Sequence, residues 1–82
     1  MNKLMIQYDN QLKCLNLQSR KTYIINGQED GSISFKGLRS DITITQTQSG
    51  TWYVDDYPLQ SQTSINGVDI TWFTENNFHA FI

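Results

Sequence analysis

Four basic side chains carry the ligand-binding chemistry that the sequence offers: Arg20, Lys21, Lys36 and Arg39. An arginine presents a planar fork of donors that matches a phosphate or a carboxylate, so Arg39 beside Ser40 could clamp such a group. The alternative is that all four are solvated charges in polar loops, which is the usual environment of Lys and Arg. The sequence favours this second interpretation.

Catalytic chemistry finds little support. The single His79 has no second ligand of its type, whereas a zinc site needs three or four converging ligands. Cys14 has no neighbouring His to activate it, so we expect an inert thiol. In the acidic pairs Glu29-Asp30 and Asp55-Asp56, adjacent strand residues would point to opposite faces, which does not suit acid–base catalysis. The sequence predicts a non-enzymatic chain with no metal site and no cofactor.

Composition limits the class of protein. With 82 residues we expect a single domain, residues 1–82, whose small core gives modest stability. The net charge is −2 and the basic residues are scattered, which argues against a nucleic-acid partner. One cysteine fits a reducing compartment, and no apolar run reaches the roughly 20 residues that a membrane span needs. The sequence therefore predicts a cytoplasmic segment that does not insert into the membrane.

The central stretch Thr22–Phe35 predicts a strand, a loop and a second strand. Tyr23–Ile25 is aromatic and β-branched, Asn26-Gly27 ends that run, and Ser32–Phe35 alternates polar with apolar residues. A loop held at the tip of a β-scaffold is a common place for binding residues.

The rest of the chain also predicts short strands. An Asp9-Asn10 turn would join the first two strands, and Gln48-Ser49-Gly50 would turn an Ile/Thr hairpin that places Ile42, Ile44 and Trp52 inward. The expected strands are Lys3–Tyr8, Gln11–Leu17, Asp41–Thr47, Thr51–Val54, Val68–Phe73 and Phe78–Ile82. Asp55–Thr63 is expected to be mainly loop, with a short edge strand as the alternative, and Ser64–Gly67 a turn.

One strand breaks the alternation. In Gln11–Leu17, Leu12 and Cys14 share one face while Leu15 and Leu17 share the other, so a bulge or a strand covered on both faces would explain the pattern. Short strands separated by turns at intervals of about eight to twelve residues predict an all-β fold, a β-sandwich of mostly antiparallel strands.

The motif Tyr23-x-Ile25, a polar loop and Ile33-x-Phe35 resembles the region from strand 3 to strand 4 of forkhead-associated (FHA) domains. The resemblance implies an FHA-like β-sandwich. In that family a Gly-Arg pair follows strand 3, and the Arg holds the phosphate of a phosphothreonine peptide. Asn26 and Gly27 occupy those positions here, so the resemblance implies the fold without the usual activity.

Two further FHA motifs bear on peptide binding. The Ser-x-x-His pair is missing, since the two possible registers offer Leu38 with Asp41, or Lys36 with Arg39. Ser64-Ile65-Asn66-Gly67 matches the Ser-x-Asn-Gly motif, whose Asn contacts the bound peptide. Alternatively, Asn66–Ile70 matches a later Asn-Gly-Asp-x-Ile turn, and we favour this second register.

A closer resemblance covers the opening residues 1–23, together with Gly50-Thr51-Trp52 and Phe73-Thr74-Glu75. These segments are similar to the N-terminus of the FtsK-like membrane ATPase of Gram-positive type VII secretion systems. That family begins with two tandem cytoplasmic FHA domains, so the resemblance implies that this chain is the first of them, excised from a larger ATPase at the cytoplasmic face of the membrane.

The resulting expectation is a degenerate FHA domain that binds protein without phosphothreonine. The partners implied by the resemblance are the adjoining FHA domain and another subunit of the secretion system, such as a pseudokinase-like one. Two alternatives stay open: a phosphothreonine reader that uses other basic residues, and a structural spacer. The candidate contact residues are Asn26, Gly27, Lys36, Arg39, Ser40, Ser64 and Asn66.

Overall fold

The computed structural model describes residues 2–29 and 31–74. Across these residues the backbone forms nine short strands and no helix. The strands are β1 Lys3–Tyr8, β2 Gln11–Asn16, β3 Tyr23–Asn26, β4 Ile33–Ser34, β5 Ile42–Gln46, β6 Trp52–Val54, β7 Tyr57–Pro58, β8 Gln62–Ile65 and β9 Val68–Phe73. Contacts divide the chain into two units, one made of Ser19–Leu59 and the other of the described residues on either side.

The outer unit contains a four-stranded antiparallel sheet in the order β2-β1-β9-β8. Its two hairpins close with two-residue turns, Asp9-Asn10 and Asn66-Gly67, in which all four residues have positive φ. Such turns match the right-handed twist of the paired strands, and Asn, Asp and Gly tolerate them best. Alternate residues of β1 and β9 are buried, namely Leu4, Ile6, Val68 and Ile70.

The inner unit contains a five-stranded sheet in the order β4-β3-β5-β6-β7. Its pairs are antiparallel except for β3 with β4, which run parallel. The core of this unit includes the inward residues of β3, β5 and β6, and the rings of Tyr23 and Trp52 lie 6.5 Å apart. Phe35, Leu38 and Leu59 contribute buried side chains from the connecting segments.

The prediction of an all-β chain with short, mostly antiparallel strands is confirmed, and the two sheets are consistent with a β-sandwich. The Ile/Thr hairpin forms as β5 and β6, with Ile42 and Ile44 fully buried. The expected Ser64–Gly67 turn is shorter, because Ser64 and Ile65 end β8. The predicted strand Phe78–Ile82 lies outside the described residues.

Both explanations for the phase change in β2 are wrong. β2 pairs with β1 in an uninterrupted register from Gln11 to Asn16, so there is no bulge. Leu12 and Cys14 are exposed, with Leu12 at 58%, so the strand is not covered on both faces. The apolar residues of this edge strand therefore continue onto an open face.

Candidate functional site

The β3–β4 connection, residues 27–32, holds the first candidate residues. Parallel neighbours usually need a crossover of a dozen or more residues, so this short link must be held by other bonds. Ser32 supplies two of them: its N–H donates to the Ile24 carbonyl at 2.8 Å, and its Oγ accepts the Ile24 N–H at 3.1 Å. The serine side chain thus completes the pairing at the start of β4.

Asn26 anchors the same loop from within, because its side chain is buried at 6% exposure. Its Oδ1 accepts the Gln28 N–H at 3.1 Å, and its carbonyl accepts the Phe35 N–H at 2.8 Å. An Asn that bonds the backbone two residues ahead forms an Asx-turn. The side chain of Asn26 therefore fixes the loop, and a role in contacting a partner stays a prediction.

Gly27 is the residue that the resemblance to FHA domains aligns with a phosphate-binding Arg. A Cβ placed on Gly27 would lie closer than 3.0 Å to the Leu38 carbonyl oxygen and 3.3 Å from the Phe35 carbonyl oxygen. Both obstacles are backbone atoms, which cannot rotate away as a side chain would. Any side chain at Gly27, and not only arginine, would therefore require the backbone of Leu38 to move.

Lys36, Arg39 and Ser40 lie on the segment that closes over Gly27. Leu38 is buried between them, and its N–H donates to the Phe35 carbonyl at 3.2 Å, while Gly37 turns the chain with φ of 90°. All three candidate side chains are exposed. Exposure alone does not distinguish a binding role from that of an ordinary loop charge, so the contact role of these residues stays a prediction.

Ser64 and Asn66 belong to the other unit, on the β8–β9 hairpin. Ser64 is exposed near the end of β8, and Asn66 is the first turn residue, with φ of 51°. The strand that follows the turn, β9, pairs with both β8 and β1. The turn thus leads directly into the central strands of its sheet.

A polar depression in the inner unit was not predicted as a site. It has a volume of about 660 Å³ and is lined by Ser19, Arg20, Gln46, Thr47, Gln48, Ser49 and Gly50. The sequence had indicated Arg20 as part of a loose basic patch and residues 48–50 as a plain turn. The missed signal was that Gln46–Gly50 is a run of amide and hydroxyl side chains with no charge.

The side chain of Gln46 holds the two walls of this depression together. Its Oε1 accepts the Arg20 N–H at 2.9 Å, and its Nε2 donates to the Gly50 carbonyl at 3.1 Å. The turn is closed by two backbone bonds of 2.9 Å, from Thr47 N–H to the Thr51 carbonyl and from Gly50 N–H to the Thr47 carbonyl. One amide side chain therefore fixes the position of Arg20 relative to the β5–β6 turn.

Asp55 stabilises the backbone through its hydrogen bonds. The Asp55 carboxylate accepts the Thr43 N–H at 2.8 Å, and the Asp55 N–H donates to the Thr43 carbonyl at 2.7 Å. Residues 2–29 and 31–74 contain no group of three His, Cys, Asp or Glu side chains that could hold a metal ion. His79 and Asp30 lie outside those ranges. In the same part of the chain, no helix is long and apolar enough to cross a membrane.

Comparison with known proteins places the chain in a family. Residues 3–76 match the FtsK/SpoIIIE N-terminal family, which is described as a DNA transporter. The chain belongs to this family. The match covers most of both units, so the FtsK/SpoIIIE N-terminal family accounts for the strands β1 to β9 together.

Individual relatives are secretion proteins. The chain is 38% identical over 85 residues to the type VII secretion system protein EssC of Staphylococcus aureus strains NCTC 8325, COL and MRSA252. Each alignment covers 99% of this chain but 6% of the relative. The chain therefore corresponds to a small part of proteins that are many times longer.

Proposed function

We propose that this chain is a non-catalytic protein-interaction domain of a type VII secretion ATPase, at the cytoplasmic face of the membrane. Membership of the FtsK/SpoIIIE N-terminal family and the likeness to EssC support an origin in such a machine. The backbone roles of Asn26 and Asp55 support a scaffold that presents surfaces and performs no chemistry. The ATPase activity would reside elsewhere in the longer protein.

We further propose that the fold is that of an FHA domain, residues 1–82. The elements that carry the resemblance occur in the expected order: a hairpin β1–β2, the β3–loop–β4 unit, the Ile-rich β5, the Trp-bearing β6 and a late Asn-Gly turn. The parallel pairing of β3 and β4, held by Ser32 and Asn26, supports a loop that is part of the scaffold.

The domain is degenerate as a phosphothreonine reader, and Gly27 carries this proposal. The family's arginine is absent, and the carbonyl oxygens of Leu38 and Phe35 occupy the space that any side chain would need. A point substitution could not restore the arginine, because the segment Lys36–Ser40 would have to move first. Binding therefore relies on protein surface and not on a phosphate group held at this position.

The proposed partners are the adjoining FHA domain of the longer protein and another subunit of the secretion system, such as a pseudokinase-like one. DNA does not fit this part of the chain, although the family is described as a DNA transporter. The net charge is −2, and DNA binding depends on basic groups that neutralise phosphates. Any DNA-handling activity would belong to other regions of the longer relatives.

Binding of the purified chain to the soluble part of a pseudokinase-like secretion subunit tests the proposal. The partner would be assayed before and after phosphatase treatment, by calorimetry at moderate salt. We expect the same affinity for both forms. Loss of binding on dephosphorylation would contradict the proposal.

One observation favours a second function, a phosphopeptide reader. Lys36 and Arg39 are exposed on either side of the buried Leu38 and could replace the missing arginine. The double variant Lys36→Ala, Arg39→Ala would then lose affinity for a phosphorylated partner, whereas unchanged affinity would remove this alternative. If no partner is found and deletion of residues 1–82 leaves secretion intact, the chain is a structural spacer.

A further inference from the structure

The depression between Arg20 and the β5–β6 turn is lined by hydrogen-bond donors and carries one charge, which is positive. Its seven lining residues include Arg20 and no acidic side chain. A guanidinium with nearby neutral donors suits an anion with several oxygens, because charge-assisted hydrogen bonds are shorter and stronger than neutral ones.

The hydroxyl groups of Thr47 and Ser49 form a hydrogen-bonded relay. The Thr51 N–H donates to Thr47 Oγ1 at 3.2 Å, and Thr47 Oγ1 and Ser49 Oγ lie 2.8 Å apart. A hydroxyl has one hydrogen, so only one of these two can donate within the pair. Whichever does, the hydrogen of the other hydroxyl is left for a ligand, and the chain of bonds polarises it in that direction.

Gln46 leaves a second donor. Its Nε2 carries two hydrogens, and one of them is directed to the Gly50 carbonyl at 3.1 Å. Because Gln46 Oε1 accepts the Arg20 N–H at 2.9 Å, the amide group cannot rotate without breaking a bond on each side. The bonds to Arg20 and Gly50 therefore fix the orientation of the amide group and of its second N–H.

The backbone of Arg20 is held in an unusual conformation. Its φ is 67°, in the left-handed region that costs a non-glycine residue roughly 1 kcal/mol or more. A glycine or asparagine would adopt this φ at lower cost. The same turn places the residue on the wall of the depression, where its N–H is bonded to Gln46.

From these observations we propose that Arg20, Gln46, Thr47 and Ser49 form a binding site for an oxyanion group, a phosphate or a carboxylate. The guanidinium supplies the charge, and the spare hydroxyl and amide hydrogens supply neutral donors. The site is separate from Gly27 and does not depend on the proposed function. If the proposed function holds, so that affinity for the partner does not depend on phosphorylation, the oxyanion is a carboxylate carried by a partner protein, and only this last step rests on that proposal.

The test is a titration of the isotopically labelled chain with sodium phosphate and, separately, with sodium acetate, followed by the NMR shifts of its backbone amides. Sodium chloride at matched ionic strength is the reference. We expect saturable shifts of Arg20 and of Thr47–Gly50, on the order of millimolar affinity, as for a single exposed anion site. Tighter binding of phosphate would assign the site to a phosphate group, and equal or tighter binding of acetate to a carboxylate.

Arg20→Gly is the matched variant, because glycine accepts a positive φ and the substitution removes only the side chain. We expect it to weaken binding at least about tenfold, whereas Arg39→Ala, which removes an exposed arginine from another loop, leaves binding unchanged. The amide spectrum of each variant reports whether the fold is intact. Absence of saturable shifts with either anion, or equal affinity of Arg20→Gly and the parent chain, would overturn the site.

Discussion

Two regions of the inner unit carry arginine near a turn, and they differ in how their surroundings are built. At Gly27 the backbone carbonyls of Phe35 and Leu38 fill the space that a side chain would need, and Lys36 and Arg39 are exposed. At the β5–β6 turn, Gln46 joins two segments around an open space of about 660 Å³, with Arg20 on its wall. The first region is filled by main chain and the second is lined by donors.

A basic residue forms a binding site when other hydrogen-bond donors converge on the same point, as they do around the β5–β6 turn. Lys36 and Arg39 have the right charge, but they lie on either side of the buried Leu38, whose backbone bonds to Phe35 and fills the space beside Gly27. The backbone N–H of Arg20 is instead bonded to Gln46, whose amide also donates to the Gly50 carbonyl beside an open depression. Substitutions in the two regions should therefore affect stability and anion binding differently.

The largest expected effect is on the free energy of unfolding, and it comes from Phe35, next to Gly27. Phe35 is fully buried, and its N–H bonds the carbonyl of Asn26. We expect Phe35→Ala to lower the free energy of unfolding by about 3 to 5 kcal/mol, as for other buried aromatics. Urea denaturation measures this, with Tyr57→Ala as the control, since Tyr57 is 63% exposed and should cost less than about 0.5 kcal/mol. Equal losses of stability in the two variants would mean that Phe35 does not support the segment around Gly27.

Gly27→Ala tests whether the Leu38 backbone fills the space beside Gly27. The added Cβ would meet the Leu38 carbonyl oxygen, so we expect a loss of about 2 to 3 kcal/mol from overpacking. Gly37→Ala is the matched control on the same segment: it meets nothing within 4 Å but has a φ of 90°. It should cost only the left-handed penalty, about 1 kcal/mol. A Gly27→Ala chain as stable as the parent in urea would show that the position is open.

Gln46→Glu tests the hydrogen bonds by which Gln46 links Arg20 to the β5–β6 turn. The isosteric change keeps an oxygen for the Arg20 N–H but removes the donor to the Gly50 carbonyl, so we expect a loss of about 1 kcal/mol in urea denaturation. It also places a negative charge in the depression and should abolish phosphate binding.

Gln48→Glu is the control for that experiment, because Gln48 lines the same depression. It should weaken phosphate binding through its charge while changing stability by less than about 0.5 kcal/mol. If Gln48→Glu is as destabilising as Gln46→Glu, the role of Gln46 as the link between the two walls is wrong.

The smallest expected effect is that of Arg20→Gly on stability. Glycine relieves the strain at φ of 67° but gives the unfolded chain more freedom, and these contributions have opposite sign. We expect a net change within about 0.5 kcal/mol by thermal denaturation. Arg20→Val keeps the strain and adds a branched Cβ, so it should be less stable than Arg20→Gly by roughly 1 to 2 kcal/mol. The reverse order would mean that the turn relaxes freely.

Much of the fold could be predicted because period-two alternation and turn residues are local signals. Val68–Phe73 and the inward pair Ile42 and Ile44 follow directly from alternation. The exposure of Leu12 could not be predicted, since the sequence pattern of an edge strand does not show which of its faces is left open. Closure at Gly27 by Leu38, and the link from Gln46 to Arg20, join residues distant in sequence and have no local signal.

The absence of a phosphothreonine site at Gly27 is tested most directly by a calorimetric titration of the chain with a library of phosphothreonine peptides, compared with inorganic phosphate. Because a side chain at Gly27 would meet the Leu38 carbonyl oxygen, we expect no peptide to bind more tightly than free phosphate. Any weak heat should disappear in Arg20→Gly. Binding of a peptide in the micromolar range, abolished by dephosphorylation and retained in Arg20→Gly, would contradict this expectation and direct attention to Arg39.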